Sequence, residues 1–140
     1  MPSSMGSCIH EAGHVVVSLL IALAITGTSW IPLLGGLFGG LLPDIDKLFY
    51  YMYHRKKFNS FSFYLRWLAR DMNHKKINVA FHNAYVIILL LFFILLVRNI
   101  SLQVFFLAFA CHLLYDIVDD IIYMRTVSHW FTLKKEFQLQ

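Results

Sequence analysis

The chain has 140 residues, of which 59% are hydrophobic and only 14% are charged. This composition is too apolar for a water-soluble domain of this length, and it excludes an intrinsically disordered chain. The formal net charge of +4 does not indicate nucleic acid, because the positive residues are concentrated where they fit a topological role in a membrane. We therefore predict an all-α, polytopic integral membrane protein that forms one domain over residues 1–140, with the lipid bilayer and no nucleic acid as partner.

The first apolar region covers residues 15–42, contains no charged residue, and is interrupted near residues 26–30. This pattern predicts a helical hairpin with two short arms, which leaves a full span and a tilted or re-entrant arrangement open. The second arm is rich in glycine, and small residues permit close helix contact in lipid. Its glycines are Gly35, Gly36, Gly39 and Gly40.

Residues 44–76 form a basic and aromatic segment. We predict that it lies at the cytoplasmic membrane interface, with an amphipathic helix around residues 61–70 (FSFYLRWLAR). The positive charges counted in this segment are Lys47, Arg55, Lys56, Lys57, Arg66, Arg70, Lys75 and Lys76.

Two longer apolar runs follow, at residues 77–97 and 102–124, and each is near the length that crosses a hydrocarbon core. The short link between them predicts antiparallel neighbours. The chain is then a helical bundle of about four membrane segments plus one interfacial amphipathic helix. The positive-inside rule places the 44–76 segment and both termini on the cytoplasmic side.

On this topology, the unusual polar residues gather near one side of the membrane. Those on the last helix are spaced by four, seven and eight residues and share one face. Ionisable residues in membrane segments are costly unless they are paired or coordinated, so they mark candidate functional positions. The gathered residues are His10, Glu11, His14, Asp44, Asp46, His82, His112, Asp116, Asp119 and Asp120.

Histidine and carboxylate groups without cysteine favour a catalytic metal site over a structural zinc site. We predict a divalent metal, with zinc first and manganese second, that activates a water molecule for hydrolysis. Asp44 and Asp46 are both predicted as ligands, or as one ligand and one general base. Asp119 and Asp120 are candidates for orienting the ligand histidines. An alternative is that the polar residues only pair with one another and hold helices together.

A second motif is His10-Glu11-Ala12-Gly13-His14, which matches H-E-x-x-H. In that motif two histidines one helical turn apart hold zinc, and the glutamate is the general base. It suggests a membrane zinc protease with Glu11 as the catalytic base. The third ligand would then come from Asp44, Asp46 or Asp116.

Four blocks in this order resemble the bacterial and archaeal membrane-bound metal-dependent hydrolases, which are inner-membrane proteins with a Leu-Pro-Asp-Ile-Asp block. They span about residues 10–116, and the Leu-Pro-Asp-Ile-Asp block is the most specific. The blocks are Gly13-His14-Val15-Val16-Val17-Ser18, Leu41-Leu42-Pro43-Asp44-Ile45-Asp46, Phe81-His82-Asn83 and His112-Leu113-Leu114-Tyr115-Asp116.

The resemblance implies a multi-helix protein of the cytoplasmic membrane that hydrolyses a substrate with a bound metal. It implies ligands at His14, Asp44, Asp46, His82, His112 and Asp116, and His10 could take the place of His14. The basic segment suggests a lipid or phosphoester substrate, and the small size suggests a homo-oligomer or a partner subunit. A third class of function stays open, a non-enzymatic subunit for assembly or for ion or proton movement.

Overall fold

The protein is described by a computed structural model that covers residues 4–55, 60–64, 81–123, 125 and 127–131. Every regular element in these ranges is helical, and no strand occurs among them, which confirms the all-α class. The main helices of this part of the chain are α1 (Ser4–Thr26), α2 (Trp30–Leu41), α3 (Ile45–Arg55), α4 (Ala84–Leu96) and α5 (Ile100–Tyr123). Short 3-10 turns lie at Leu42–Asp44 and Ser128–Phe131.

Helices α1 and α2 form a helical hairpin because the chain turns sharply at Gly27. This residue has φ 62°, in the left-handed region that commonly ends a helix and that glycine adopts without strain. Its N–H donates to the carbonyl of Leu23 at 2.9 Å, and the hydroxyl of Thr26 donates to the carbonyl of Ala22 at 2.8 Å. These bonds close the end of α1, and α2 returns beside it.

Helix α2 packs between α1 and α5 through its glycines, and the approach is closest at Gly39 and Gly40. A Cβ atom at Gly39 would overlap the backbone carbonyl of Phe105 on α5. A Cβ atom at Gly40 would overlap the hydroxyl of Ser18 on α1. The absence of side chains at these two positions therefore sets how near the three helices lie.

Pro43 lies where α2 gives way to α3. It is buried in the 3-10 turn, and a proline ring cannot continue the α-helical hydrogen bonding of the preceding turn. Asp44 ends this turn, and Asp46 and Lys47 lie in the first turn of α3. The change of direction brings these side chains within reach of the last helix.

Helices α4 and α5 form a second antiparallel pair. The side chain of Asn83 caps α4 by accepting from the N–H of Tyr85 at 2.9 Å. The side chain of Asn99 does the same for α5, accepting from the N–H of Ser101 at 2.9 Å. The largest apolar core lies between these helices and includes Ile87, Leu90, Phe109, Leu113 and Trp130.

One described helix, α5 over Ile100–Ile122, is long and apolar enough to cross a membrane. The prediction of about four such segments is therefore too high. Helices α2 and α4 have 12 and 13 residues, which is about 20 Å at 1.5 Å per residue, against a hydrocarbon core of about 30 Å. Asn83 accounts for the short α4, because the cap starts the helix at Ala84 and not at residue 77. The apolar part of α1 is the shorter stretch Ala12–Thr26.

The predicted interfacial segment is described in part. Residues 45–55 form α3, and residues 61–64 form one helical turn. The rest of the proposed amphipathic helix, at residues 65–70, and the basic residues up to Lys76 lie outside the described residues, as do residues 1–3 and 132–140 at the two termini. Lys47 is an exception to the predicted distribution of charge, because it is buried in the protein rather than exposed at an interface.

Candidate metal centre

Four predicted ligands meet at one end of the helical bundle. Asp44, His82, His112 and Asp116 each offer one oxygen or ring nitrogen, and these four atoms lie within 4.8 Å of one another. They come from the α2–α3 turn, the residues before α4, and two successive turns of α5. Both histidines and Asp116 are buried, and Asp44 is partly buried. This geometry is compatible with a single bound cation.

His82 is held with one ring nitrogen facing this cluster. Its Nδ1 lies 3.3 Å from Oδ2 of Asp46, and because an ionised carboxylate only accepts, Nδ1 carries the proton and donates. Nε2 is buried and lies 2.8 Å from Oδ2 of Asp116, without meeting the geometry of a hydrogen bond to any described residue. In the neutral ring this nitrogen carries the lone pair that a metal ion would bind, and in the protonated ring it forms an ion pair with Asp116.

His112 is oriented in the same manner by a backbone group. Its Nδ1 lies 2.7 Å from the carbonyl oxygen of Gly40, which can only accept, so Nδ1 donates. Its Nε2 lies 3.5 Å from Oδ1 of Asp44 and 3.6 Å from Oδ2 of Asp116, and it too has no hydrogen-bond partner in the described part of the chain. Metal-binding histidines characteristically donate their second ring N–H to a carboxylate or a backbone carbonyl. Both histidines meet that condition.

Asp46 lies behind His82 and outside the group of four. Its Oδ2 accepts from the backbone N–H of Phe81 at 2.7 Å as well as from the ring of His82. Two donors of adjacent residues thus converge on one carboxylate oxygen. The structure places Asp46 where it fixes the orientation of a histidine.

His14 contacts the far side of Asp116. Its Nε2 lies 3.1 Å from Oδ1 of Asp116, the oxygen that faces away from His82. Its ring stacks on that of His112 with centroids 3.7 Å apart, and it meets the ring of Tyr115 edge-on. His14 therefore contacts two members of the cluster without belonging to the group of four.

Lys47 is the cation of the cluster, and its role was not anticipated from the sequence. Its side chain is only 4% exposed, and its Nζ lies 2.5 Å from Oδ1 of Asp44 and 3.3 Å from Oδ2 of Asp116. The i, i+3 spacing from Asp44 was visible in the sequence, but it also fits an exposed surface pair. Only the contact of Lys47 with Asp116 on α5, 69 residues away in sequence, distinguishes a buried lysine from a surface pair.

Three carboxylates and one ammonium lie close together in this region. Asp44, Asp46 and Asp116 are largely buried, and Lys47 places its positive charge against two of them. Because burial makes charge costly, such a group of carboxylates favours nearby positive charge. A divalent cation is one group that would supply it.

The same carboxylates act on His82. Burial by itself lowers the pKa of His82, and the ammonium of Lys47 lowers it further. The carboxylates of Asp116 and Asp46, which lie 2.8 Å and 3.3 Å from the two ring nitrogens, outweigh both effects and raise the pKa above its usual value. This end of the bundle thus attracts positive charge, whether as a proton or as a metal ion.

Trp130, in the chain that follows α5, lies against the His82 ring of the cluster. It is buried, its ring centroid lies 5.8 Å from that of His82, and its Nε1 donates to Oδ2 of Asp120 at 2.7 Å. Asp120 thus reaches the site through Trp130 rather than by binding a ligand histidine directly. No sequence signal pointed to Trp130, because a tryptophan after a membrane helix is ordinarily an interfacial anchor.

The remaining candidates lie apart from the group of four. Asp119 is half-buried near the end of α5 and is not a member of it. His10 and Glu11 fall within the backbone of α1, but their side chains lie outside the described residues. The zinc site predicted from the H-E-x-x-H motif therefore stays a prediction. His14 is the residue of this motif whose side chain contacts are described, and it faces Asp116.

No family model, no curated protein and no solved structure matches this chain. The function is therefore argued from the geometry of the cluster.

Proposed function

We propose that this chain is a metal-dependent hydrolase embedded in a membrane. The observation that carries the proposal is the pair of buried histidine Nε2 atoms, on His82 and His112, that face two carboxylates while their Nδ1 atoms are occupied by fixed acceptors. In the neutral form of both rings these Nε2 atoms carry lone pairs that face the same carboxylates, an arrangement that a cation bound between them would satisfy. Mixed histidine and carboxylate ligands suit zinc, and manganese to a lesser degree.

In this proposal Asp44, His82, His112 and Asp116 hold the ion, while Asp46, Gly40 and His14 keep three of those ligands in position. A zinc ion held by these residues would lower the pKa of a bound water molecule to about 7 and would so supply a nucleophile for hydrolysis. The second oxygen of Asp46, Oδ1, is buried and has no partner among the described residues, which makes it available to accept a proton.

The membrane part of the proposal is supported by the outer surface of the bundle. Large apolar side chains are exposed on all the long helices, and Leu95 on α4 is 84% exposed. Monomeric soluble proteins rarely expose apolar surface so widely. We propose a cytoplasmic membrane with both termini on the cytoplasmic side, and a lipid or phosphoester as substrate. A homo-oligomer or a partner subunit would cover part of the same surface.

The first experiment is the metal content of detergent-purified protein, measured by mass spectrometry. We expect stoichiometric zinc or manganese in the wild type and its loss in Asp116→Asn and in His112→Gln. The matched control is Asp119→Asn, which removes a carboxylate from the same helix outside the group of four and should retain the metal. A folded wild type that binds no divalent ion after dialysis against zinc or manganese would contradict the proposal.

The reaction is tested separately, by screening metal-loaded protein against phosphoesters and phospholipids in mixed micelles. We expect turnover by the wild type and by Asp119→Asn, and none by Asp116→Asn. Turnover that survives in the metal-free Asp116→Asn protein would assign the hydrolysis to a contaminant or to another site.

A second candidate function is favoured by Lys47. An ammonium bound to Asp44 and Asp116 can join α3 to α5 without any metal, as expected of a non-enzymatic subunit for assembly or ion movement. In that case the wild type purifies without metal, and Asp116→Asn lowers the yield of folded protein. The two candidate functions therefore differ in the metal content of the wild type.

A further inference from the structure

The cluster already contains a fixed positive charge, the ammonium of Lys47, in contact with two of its carboxylates. Lys47 lies in the first turn of α3, and its side chain is buried. Its Nζ contacts one oxygen of Asp44 and one oxygen of Asp116.

These are also the oxygens that approach the histidines. Oδ1 of Asp44 lies 3.5 Å from Nε2 of His112, and Oδ2 of Asp116 lies 2.8 Å from Nε2 of His82. In two-metal hydrolytic sites the ions are about 3.5–4 Å apart and stabilise the attacking and the leaving oxygen together. The ammonium already engages both carboxylates that two such ions would have to share.

Charge repulsion acts in the same direction. The ammonium of Lys47 already lies against both of these carboxylates, so a second divalent ion bound to them would be held next to a buried positive charge, which is costly.

We infer that Lys47 serves as the second cation of this centre, so that each chain binds a single divalent ion beside a permanent ammonium. This inference rests on the proposed metal site and adds the number of metal ions that the site binds. The ammonium lies beside the ion, where it would stabilise negative charge on a substrate oxygen, as fixed positive groups do in phosphoryl and acyl transfer. The substrate class that fits is an ester with an anionic or developing anionic oxygen.

The test uses Mn²⁺ as probe on the full chain in detergent, with equilibrium binding for affinity and electron paramagnetic resonance for nuclearity. We expect the wild type to bind one ion with the spectrum of an isolated centre. Lys47→Met removes the charge at similar length, and we expect it to bind the first ion at least about tenfold more tightly, because the ammonium no longer repels it. Lys47→Arg keeps the charge and should bind as the wild type does.

The outcomes separate this inference from the proposed function. A wild type with two ions and a spin-coupled spectrum would overturn the role of Lys47 while supporting a metal centre. Unchanged or weaker affinity in folded Lys47→Met would also overturn it, since the ammonium would then not compete with the ion. No binding in the wild type would remove the metal centre itself. If Lys47→Met does not fold, the stoichiometry of the wild type still decides between one ion and two.

Discussion

At the scale of single residues, the cluster is built from ligands and from groups that orient them. His82 is oriented by a carboxylate and His112 by a backbone carbonyl, so each presents the same ring nitrogen to the centre. The distinction matters for mutagenesis. Loss of a ligand should abolish metal binding, whereas loss of an orienting group should weaken it.

Asp46→Asn tests the orienting role. We expect the variant to keep its fold and to lose about 10–100-fold in zinc affinity, the effect typical of removing the partner of a ligand histidine. Competition with a chromophoric chelator measures the affinity, and Asp119→Asn is the control that should bind as the wild type does. Complete loss of zinc would instead make Asp46 a direct ligand, as the sequence also allowed.

The raised pKa of His82 predicts opposite pH dependences with and without metal. In the metal-free protein the stabilisation from protonated His82 is fully present below about pH 6.5, the unfolded value, and is lost as pH rises through the higher folded pKa. With zinc bound the sign reverses, because protons compete with the metal for Nε2. Thermal unfolding from pH 5.5 to 9, in chelator and in zinc, measures both trends. Parallel curves would contradict the prediction, and His82→Gln should reduce the slope of the curve measured in chelator.

At the scale of elements, the cluster depends on how closely α2 approaches α1 and α5. The carbonyl of Gly40 reaches His112 only because neither Gly39 nor Gly40 carries a side chain. The glycine stripe, predicted from the sequence as a means of helix contact, therefore also positions a ligand.

Gly39→Ala should separate α2 from α5, because the new Cβ meets a backbone carbonyl that cannot rotate away. We expect a loss of about 1–3 kcal/mol in the free energy of unfolding. The matched control is Gly13→Ala in α1, where the nearest atom is the Tyr115 hydroxyl at an ordinary 3.5 Å. Its effect should be neutral or favourable, since alanine stabilises a helix by about 1 kcal/mol over glycine. Denaturant unfolding in mild detergent compares the two, and equal losses would refute the close-packing argument.

At the scale of the whole molecule, the four proposed ligands join segments that are distant in sequence. The bond from His112 to Gly40 links α5 to α2 across 72 residues, and the contact of His82 with Asp46 links the start of the second helical pair to α3 across 36 residues. A metal bound here would act as a cross-link between the α2–α3 turn and the second helical pair.

Removal of the metal should therefore lower the stability of the entire bundle. At a free zinc concentration one hundred times the Kd, bound zinc contributes about 2.7 kcal/mol, and this contribution disappears in excess chelator. The Tm of purified protein measured with zinc and then with chelator reports the difference. The Asp116→Asn protein serves as the control and should show no zinc-dependent change in Tm.

The sequence by itself determined the helical class, the two hairpins and the gathering of polar residues at one end, because these follow from apolar run lengths, turn residues and helical spacing. It overestimated the number of long membrane segments, since run length ignores where a cap such as Asn83 begins a helix. Only the tertiary structure decided which polar groups face the centre. The buried ammonium of Lys47 contacts Asp116, Asp46 lies behind His82, and Trp130 packs against His82. Each of these contacts joins segments that are distant in sequence, and local sequence patterns do not encode them. The physical reason is that the direction of a side chain within a bundle is set by how helices pack against one another.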